Sequence, residues 1–108
     1  MCGLFFHSFR SPPPSRAHIE RAVLMMGARG PDNRTVEMGD GYALGHVRLS
    51  IIDVSDTANQ PMRDRSGRYA MVYNGEIYNY AELRAELEGK GVRFRTNSDT
   101  EVLLELCL

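Results

Sequence analysis

The chain is 108 residues long, 43% hydrophobic and 25% charged, with a formal net charge of -1 at pH 7. This length and composition are typical of one ordinary globular domain with one modest core, and there is no room for two such domains. The charge excludes an electrostatically driven nucleic-acid partner, because no excess of Lys and Arg is present to displace counterions from phosphate.

The first quarter of the chain predicts a strand followed by a helix. Residues 2–9 are largely apolar and predict a strand, which the three prolines at 12–14 end. Ser15 is a typical helix N-cap, and Gly27 is a typical stop. The apolar residues between them fall on one stripe at helical spacing, namely Ile19, Ala22, Val23 and Met26.

The second quarter predicts a loop and a hairpin. Arg29-Gly30-Pro31-Asp32 has the composition of a loop. Residues 35–38 and 42–47 flank the glycine-rich turn at 39–41, which predicts a β-hairpin. Residues 49–52 continue as β-like sequence.

A long loop and two further strands are predicted beyond the hairpin. Residues 54–67 are polar and interrupted by proline, so we expect a surface loop, and a loop of that length is often functional in a small domain. Residues 68–73 predict a strand that ends at Asn74-Gly75, and residues 92–95 predict a short one.

Two helices are predicted in the last third of the chain. Each begins at a capping box, formed by Asn79 with Glu82 in the first helix and by Ser98 with Glu101 in the second. The second helix runs apolar to the final residue without a stop signal, so we expect the chain to be the front part of a longer domain.

The sequence contains no recognisable export or membrane segment. The apolar run at residues 3–6 is too short for a transmembrane helix or a signal-peptide core, so we expect a cytoplasmic protein with no membrane partner. A reducing compartment favours free thiols at Cys2 and Cys107 over a disulfide, although their number alone allows one. The three histidines show no metal-ligand spacing, so we expect no metal site.

Cys2 is the first candidate for chemistry. A small side chain at position two favours removal of the initiator methionine, which would make Cys2 the N-terminal residue. Its thiol would then be a nucleophile, and its α-amino group, with a reference pKa of about 7.7–8.0, would be a base suited to neutral pH. Taken alone, however, Cys2 is more simply a core residue of a strand, and Cys107 on its apolar helix stripe is interpreted the same way.

Five other residues offer polar chemistry but also have a plain structural explanation. Asn74-Gly75 after a strand offers a side-chain amide and an unobstructed N–H for an oxyanion, but Asn-Gly is also a common turn pair, and Glu76 is either a strand-end charge or part of the same pocket. Arg48 is either a clamp for a carboxylate or a strand-edge residue in water. Asp99 is explained by the helix dipole alone, although it could also receive an ammonium group.

Several short motifs follow one another along the chain: Met1-Cys2-Gly3, Arg29-Gly30-Pro31-Asp32, the run from Gly45 to Asp53, Ala58-Asn59-Gln60-Pro61-Met62, the run from Tyr73 to Asn79, and the run from Ser98 to Leu104. Taken together, they resemble the class II glutamine amidotransferase domain, over essentially the whole chain. Their variants are similar to those of glutamine-hydrolysing asparagine synthetases rather than to those of sugar-phosphate or phosphoribosyl amidotransferases.

The resemblance implies a fold, a reaction and a set of roles. The fold would be α+β, an N-terminal-nucleophile hydrolase α/β/β/α sandwich that is incomplete over residues 1–108. The reaction would convert glutamine and water to glutamate and ammonia, with no cofactor. Cys2 would be the nucleophile and Asn74 and Gly75 the oxyanion donors. Glutamine would be bound by Arg48 at its carboxylate, by Glu76 and Asp99 at its ammonium group, and along the pocket by Leu49, Ser50, Ile51 and Ile52.

The resemblance also implies a parent protein that is longer than this chain. A synthetase domain, absent here, would bind ATP and magnesium, adenylate aspartate and receive the ammonia, and the full-length protein is a possible homodimer. Two alternatives remain open. One is an amidotransferase of the same two-domain plan that acts on a surface sugar or a peptide-like solute. The other is an inactive truncated remnant.

Overall fold

A three-stranded antiparallel sheet forms the centre of the molecule. The computed structural model describes residues 1–50 and 55–108. Strands β1 (Gly3–Ser8), β2 (Asn33–Gly39) and β3 (Tyr42–Arg48) are arranged in the order β1-β3-β2. The register pairs Gly3 with Val47 and Asn33 with Arg48, which confirms the predicted first strand and hairpin.

One face of the sheet is covered by the helix α1 (Arg16–Leu24). The side chain of Ser15 accepts a hydrogen bond from the His18 N–H, as expected for the predicted N-cap. Val23 is fully buried and lies so close to the central strand that a Cβ on Gly45 would come within 2.2 Å of its Cγ2. The missing side chain of Gly45 therefore allows α1 to pack directly on the middle of the sheet.

On the other face of the sheet, side chains of β2 and β3 contact the chain that follows β3, namely Thr35 with Gln60, Glu37 with Arg63 and His46 with Tyr73. A 3₁₀ turn at Asp56–Ala58 leads into a two-stranded antiparallel ribbon of β4 (Met62–Arg63) and β5 (Ala70–Met71). Ala58 and Met62 belong to the buried core. The prediction of a surface loop over residues 54–67 was therefore wrong for its middle part, because small and apolar residues among the polar ones pack against the sheet.

Two helices complete the described fold, α2 (Tyr80–Gly89) and α3 (Asp99–Leu106). Ser98 caps α3 by accepting the Thr100 N–H, which confirms the predicted N-cap. The reciprocal half of the predicted box was wrong, because the Ser98 N–H donates to Thr96 Oγ1 and Glu101 accepts the N–H groups of Arg95 and Thr96 instead. The capping box predicted at Asn79 was wrong, since among the described residues its side chain makes no capping hydrogen bond. Val102 and Leu104 anchor α3 in the core, whereas Leu106 and Cys107 are exposed.

Three predicted strand segments differ from the structure. Leu49 and Ser50 lie beyond the end of β3 and outside any regular element, and the structure does not describe residues 51–54. The strand predicted at 68–73 is only two residues long. Residues 92–95, all of them described, adopt no strand conformation. There the buried Glu101 carboxylate accepts the N–H groups of Arg95 and Thr96, so that these donors need no neighbouring strand.

These elements make a mixed helix and sheet domain, consistent with the predicted α+β class. The four-layer arrangement of the sandwich stays a prediction. Across the described part of the chain, no helix combines the length and the apolar character that a bilayer span requires. Both cysteines are free thiols.

Candidate active site

Seven of the residues expected to act on glutamine line a single cavity of about 410 Å³. They come from four separate parts of the chain: Cys2, Arg48, Leu49, Asn74, Gly75, Glu76 and Asp99. Ser50 is not among the described residues that line the cavity, and its N–H donates to Asp32 Oδ2 at 2.7 Å. Ile51 and Ile52 lie outside the described residues.

Cys2 reaches the cavity because it precedes β1, which pairs with β3. Its Sγ lies 3.3 Å from the Leu49 N, which donates to it, and 3.6 Å from the Leu49 carbonyl oxygen, to which the thiol donates. Arg29 Nε also donates to the Cys2 carbonyl at 3.3 Å. These contacts fix the sulfur at the end of the central strand, and Met1 lies beside it on the cavity wall.

Arg48, the last residue of β3, is a buried cation and not a strand-edge residue in water. Only 7% of its surface is exposed. Its Nη1 donates to the Ser55 carbonyl at 2.8 Å and to Asn59 Oδ1 at 2.7 Å. These two acceptors hold the guanidinium in one orientation at the cavity wall, as binding of a planar carboxylate requires.

Another part of the cavity wall is the loop that follows Tyr73. Asn74, Gly75 and Glu76 are all exposed and line the cavity. A Cβ on Gly75 would lie 2.5 Å from the Tyr73 hydroxyl oxygen, so only glycine fits under that ring without displacing it. The loop thus presents an amide side chain and a sterically open N–H side by side, which are the two donors that an oxyanion hole uses.

Asp99 lies in the first turn of α3 and is almost fully buried at 6% exposure. Its Oδ2 accepts the Ile77 N–H at 3.0 Å, which ties the helix to the loop that carries Glu76. The pKa of Tyr73 is raised, first by burial and then by the negative charges of Asp99 and Glu76. Arg48, Glu76 and Asp99 thus bring one cation and two carboxylates to the same cavity, a charge pattern that suits an α-amino acid.

Two buried residues that contact the backbone of Tyr73 were assigned no role from the sequence, and one of them, Gln60, also lines the cavity. The Tyr73 N–H donates to Gln60 Oε1 at 2.5 Å, and the Tyr73 carbonyl accepts from His46 Nε2 at 3.3 Å. His46 is 1% exposed and Gln60 is 7% exposed. Both lie in motifs quoted above, but their side chains could be assigned no chemistry before the fold showed what they touch.

His46 is held in its neutral form. Its pKa is lowered mainly by burial and also by the nearby positive charge of Arg48, while the hydrogen bond to the Tyr73 carbonyl acts in the opposite direction. A carbonyl oxygen only accepts, so Nε2 carries the proton. In the part of the chain that the structure describes, no group of three or more His, Cys, Asp and Glu side chains could hold a metal ion.

Comparison with known proteins gives a consistent result. Residues 1–108 match the family described as glutamine amidotransferase domain. The chain is 43% identical to asparagine synthetase [glutamine-hydrolyzing] 1 of Bacillus subtilis, covering 96% of this chain but 17% of that protein. It is 44% identical to asparagine synthetase B [glutamine-hydrolyzing] of Escherichia coli, covering 76% of this chain and 14% of that protein.

The similarity extends beyond asparagine synthetases. Over 63% of this chain, the identity to glutamine--fructose-6-phosphate aminotransferase [isomerizing] of Symbiobacterium thermophilum is 52%, and this covers 11% of that protein. In each case the chain spans less than a fifth of the relative, as the 17% coverage of the Bacillus protein illustrates. The relatives therefore share this domain with the chain, whereas most of their length lies outside the aligned region.

Proposed function

The chain belongs to the glutamine amidotransferase domain family, and on that basis we propose that it hydrolyses the side-chain amide of glutamine with Cys2 as nucleophile. The observation that carries the proposal is the convergence of Cys2, Arg48, the Asn74-Gly75 loop and Asp99 on one cavity. Along the sequence these residues extend from position 2 to position 99. Their chemistry matches a single substrate with three polar groups, a carboxylate, an ammonium group and an amide.

Glutamine is bound through its two charged groups. Arg48 receives the α-carboxylate, and Glu76 and Asp99 receive the α-ammonium group, in keeping with the two charged sides of the cavity. Leu49 contacts the aliphatic part of the side chain, and the same role is proposed for Ser50, Ile51 and Ile52. The side-chain amide then lies between the sulfur and the loop.

The reaction proceeds through a thioester. After removal of Met1, the α-amino group of Cys2 takes the thiol proton while Sγ attacks the amide carbon. The carbonyl oxygen becomes an oxyanion, held by the Asn74 side-chain amide and the Gly75 N–H. When the C–N bond breaks, the protonated amine returns its proton to the leaving nitrogen, which departs as ammonia.

Hydrolysis of the thioester repeats these steps with water. The α-amino group of Cys2 takes a proton from the water molecule, whose oxygen attacks the thioester carbon. The oxyanion forms again at the same two donors. When the C–S bond breaks, the proton passes to the sulfur, and glutamate leaves with the Cys2 thiol restored.

We further propose that the ammonia serves asparagine synthesis. The support is the name of the Bacillus and Escherichia relatives, together with the full-length match of the family. ATP and magnesium would act in a separate synthetase domain of the parent protein and take part in no step at Cys2. A different acceptor, such as a sugar, is the second candidate, supported by the 52% identity to the aminotransferase.

The nucleophile is tested with an electrophilic glutamine analogue. The purified protein is incubated with the analogue, and the adduct is located by peptide mass spectrometry, alongside an assay of glutamate release. We expect one adduct, on Cys2, and its loss together with activity in Cys2→Ala. The control variant is Cys107→Ala, an exposed thiol outside the cavity, which should label normally. Labelling that persists in Cys2→Ala would remove Cys2 from its role.

The acceptor needs a separate experiment on the parent protein. Supplied with glutamine, aspartate, ATP and magnesium, it should form asparagine in a glutamine-dependent manner. A transfer of the amide nitrogen to a sugar substrate instead would establish the second candidate. Absence of glutamate release from a folded protein under both conditions would indicate the inactive alternative.

A further inference from the structure

The peptide groups of Tyr73 are held at both ends by buried side chains from other parts of the chain. Gln60 accepts its N–H through Oε1, and His46 donates to its carbonyl through Nε2, at 2.5 and 3.3 Å. Tyr73 comes directly before Asn74-Gly75, so these two bonds act on the residue from which the oxyanion loop projects. Asn74 and Gly75 themselves are exposed.

Both clamping side chains rest on rigid supports. His46 is on the central strand β3, two residues before Arg48 and on the same face of the sheet. Gln60 is fixed through its own backbone, since its carbonyl accepts a hydrogen bond from the Thr35 hydroxyl on β2. The loop is therefore held by the same sheet that positions Cys2 and Arg48.

We propose that His46 and Gln60 are positioning residues that hold the oxyanion donors of Asn74 and Gly75 at a fixed distance from Cys2. This inference rests on the proposed glutamine hydrolysis. An oxyanion donor contributes to catalysis only if it is held where charge develops, and a displacement of about 1 Å lowers the rate by on the order of 10²-fold. An exposed loop needs such anchoring from behind.

Gln60 has a second contact that His46 lacks. Its Nε2 donates to Thr100 Oγ1 at 3.3 Å, next to Asp99 in the first turn of α3. One side chain thus links the oxyanion loop to the helix proposed to receive the substrate ammonium group. Loss of His46 should therefore lower kcat with little change in KM, whereas loss of Gln60 should lower kcat and raise KM.

The two hydrogen bonds from His46 and Gln60 to the backbone of Tyr73 are called the clamp. The experiment compares substitutions that remove one of these bonds with a substitution that restores it. His46→Leu and Gln60→Met keep the approximate size of each side chain but remove its hydrogen bonds. His46→Gln places an amide N–H where Nε2 was. Val23→Ala is the control, because it disturbs the core on the opposite face of the sheet without contact to the cavity. The readouts are kcat and KM for glutamine, and amide hydrogen exchange over residues 73–77.

A third readout separates positioning from damage to the nucleophile. Iodoacetamide alkylates a thiol without using an oxyanion hole, so the rate at Cys2 should be unchanged in every variant that is folded. We expect kcat to fall by roughly 10- to 100-fold in His46→Leu and Gln60→Met. Recovery to within about threefold of the unmodified protein is expected for His46→Gln. Exchange over residues 73–77 should accelerate by about tenfold when one of the two bonds is lost.

Several outcomes would overturn the proposal. Unchanged kcat and unchanged exchange in the folded His46→Leu and Gln60→Met variants would do so, and so would an equal loss of activity in Val23→Ala. If the unmodified protein releases no glutamate, the proposed function fails, but hydrogen exchange still decides the clamp. Faster exchange in both variants would then support it as a structural device, and unchanged exchange would refute it.

Discussion

At the scale of single residues, Glu101 is a fully buried carboxylate that stays charged. Burial by itself raises its pKa, but the Thr96 hydroxyl, the N–H groups of Arg95 and Thr96 and the Arg95 guanidinium together hold the pKa below its usual value. The Thr96 N–H and hydroxyl both donate to Oε2 at 2.7 Å. This carboxylate therefore organises the turn that leads into α3, the helix that bears Asp99.

Glu101→Gln should destabilise the fold by about 2–3 kcal/mol, because an amide accepts fewer of these hydrogen bonds and leaves buried donors without a partner. The free energy of unfolding is measured by urea titration. In the unmodified protein the contribution of Glu101 is present above its unfolded pKa of about 4.3 and is lost as the pH falls through the lower folded value. Glu105→Gln, on the same helix, is the control and should change stability by less than ~0.5 kcal/mol. Equal effects of the two changes would contradict this role of Glu101.

The stability of the fold also depends on pH through His46, at a higher pH than through Glu101. An unfolded histidine takes up a proton near pH 6.5, whereas burial and Arg48 place the pKa of folded His46 lower. Between these two values the unfolded chain binds more protons, so stability falls as the pH decreases below about 6.5. Urea melts of His46→Gln should lack this slope, while His18→Gln, at an exposed helix position, should retain it. A slope that survives in His46→Gln would assign it to another group.

At the scale of elements, two glycines on either side of Arg29 differ in what surrounds them. A Cβ on Gly30 would lie 2.4 Å from the Val47 carbonyl carbon and 2.5 Å from the Arg48 N. Both are backbone atoms of the central strand, which cannot move without shifting Arg48 and the contact of Leu49 with Cys2. Among the described atoms, nothing lies within 4 Å of the corresponding position on Gly27.

Gly30→Ala should therefore lower stability by about 2 kcal/mol or more and reduce labelling of Cys2 by a glutamine analogue. Gly27→Ala should leave stability unchanged or raise it by up to about 1 kcal/mol, because alanine restricts the unfolded chain. Thermal melts and labelling rates check both. Similar behaviour of the two variants would argue against the close approach of residue 30 to β3.

The N-cap residues of α2 and α3 differ in whether their side chains cap the helix. Ser98 accepts the Thr100 N–H at 3.1 Å, whereas among the described residues Asn79 makes no capping bond with its side chain. Ser98→Ala should thus cost about 1 kcal/mol and Asn79→Ala only a few tenths. Chemical denaturation measures both changes. An equal cost would mean that Asn79 caps α2 in solution.

The sequence predicted elements best where local spacing decided the structure. The stripe through Ile19 and Val23 and the glycine-rich hairpin turn, where Gly41 has a φ of +79°, gave α1, β2 and β3. It failed where distant side chains satisfy the backbone. Residues 92–95 have strand-like composition, but Glu101 accepts the N–H of Arg95. A contact of this kind cannot be predicted from the local sequence pattern.

The site followed a similar division. The convergence of Cys2, Arg48, Asn74 and Asp99 on one cavity could be predicted, because their order resembles that of a recognised family, and their roles stay a prediction. The clamp on Tyr73 could not be predicted, since Gln60 and His46 are 13 and 27 residues away from it along the chain. These hydrogen bonds form only when the ribbon of β4 and β5 packs on the sheet, since Gln60 precedes β4 and Tyr73 follows β5.

At the scale of the whole molecule, one part of the sheet carries exposed apolar side chains. Leu4 and Phe6, two residues apart on β1, are 43% and 62% exposed. They lie on the same face as Cys2, opposite the one that α1 covers. Exposed apolar side chains on an edge strand favour association between molecules.

Phe6→Ser should therefore reduce self-association at high protein concentration with a change in stability of less than about 1 kcal/mol. Light scattering over a concentration series tests this expectation. Met25→Ser, directly after α1, is the control, since its side chain is 87% exposed and α1 covers the face of the sheet opposite to Leu4 and Phe6. Association that responds to Met25→Ser and not to Phe6→Ser would place the contact on the helix side.

The pairing of Cys2 with the end of β3 has a consequence for the order of events on the ribosome. The thiol emerges first, whereas Leu49, the Asn74 loop and Asp99 follow it. At typical rates of synthesis, Asp99 is added about 5–20 s after Cys2. Until Asp99 is added, the cavity around Cys2 lacks part of its wall, so we expect no glutamine hydrolysis by the nascent chain. If the proposed role of Cys2 holds, its reactivity toward a glutamine analogue would report completed folding, because the cavity is complete only when α3 has docked.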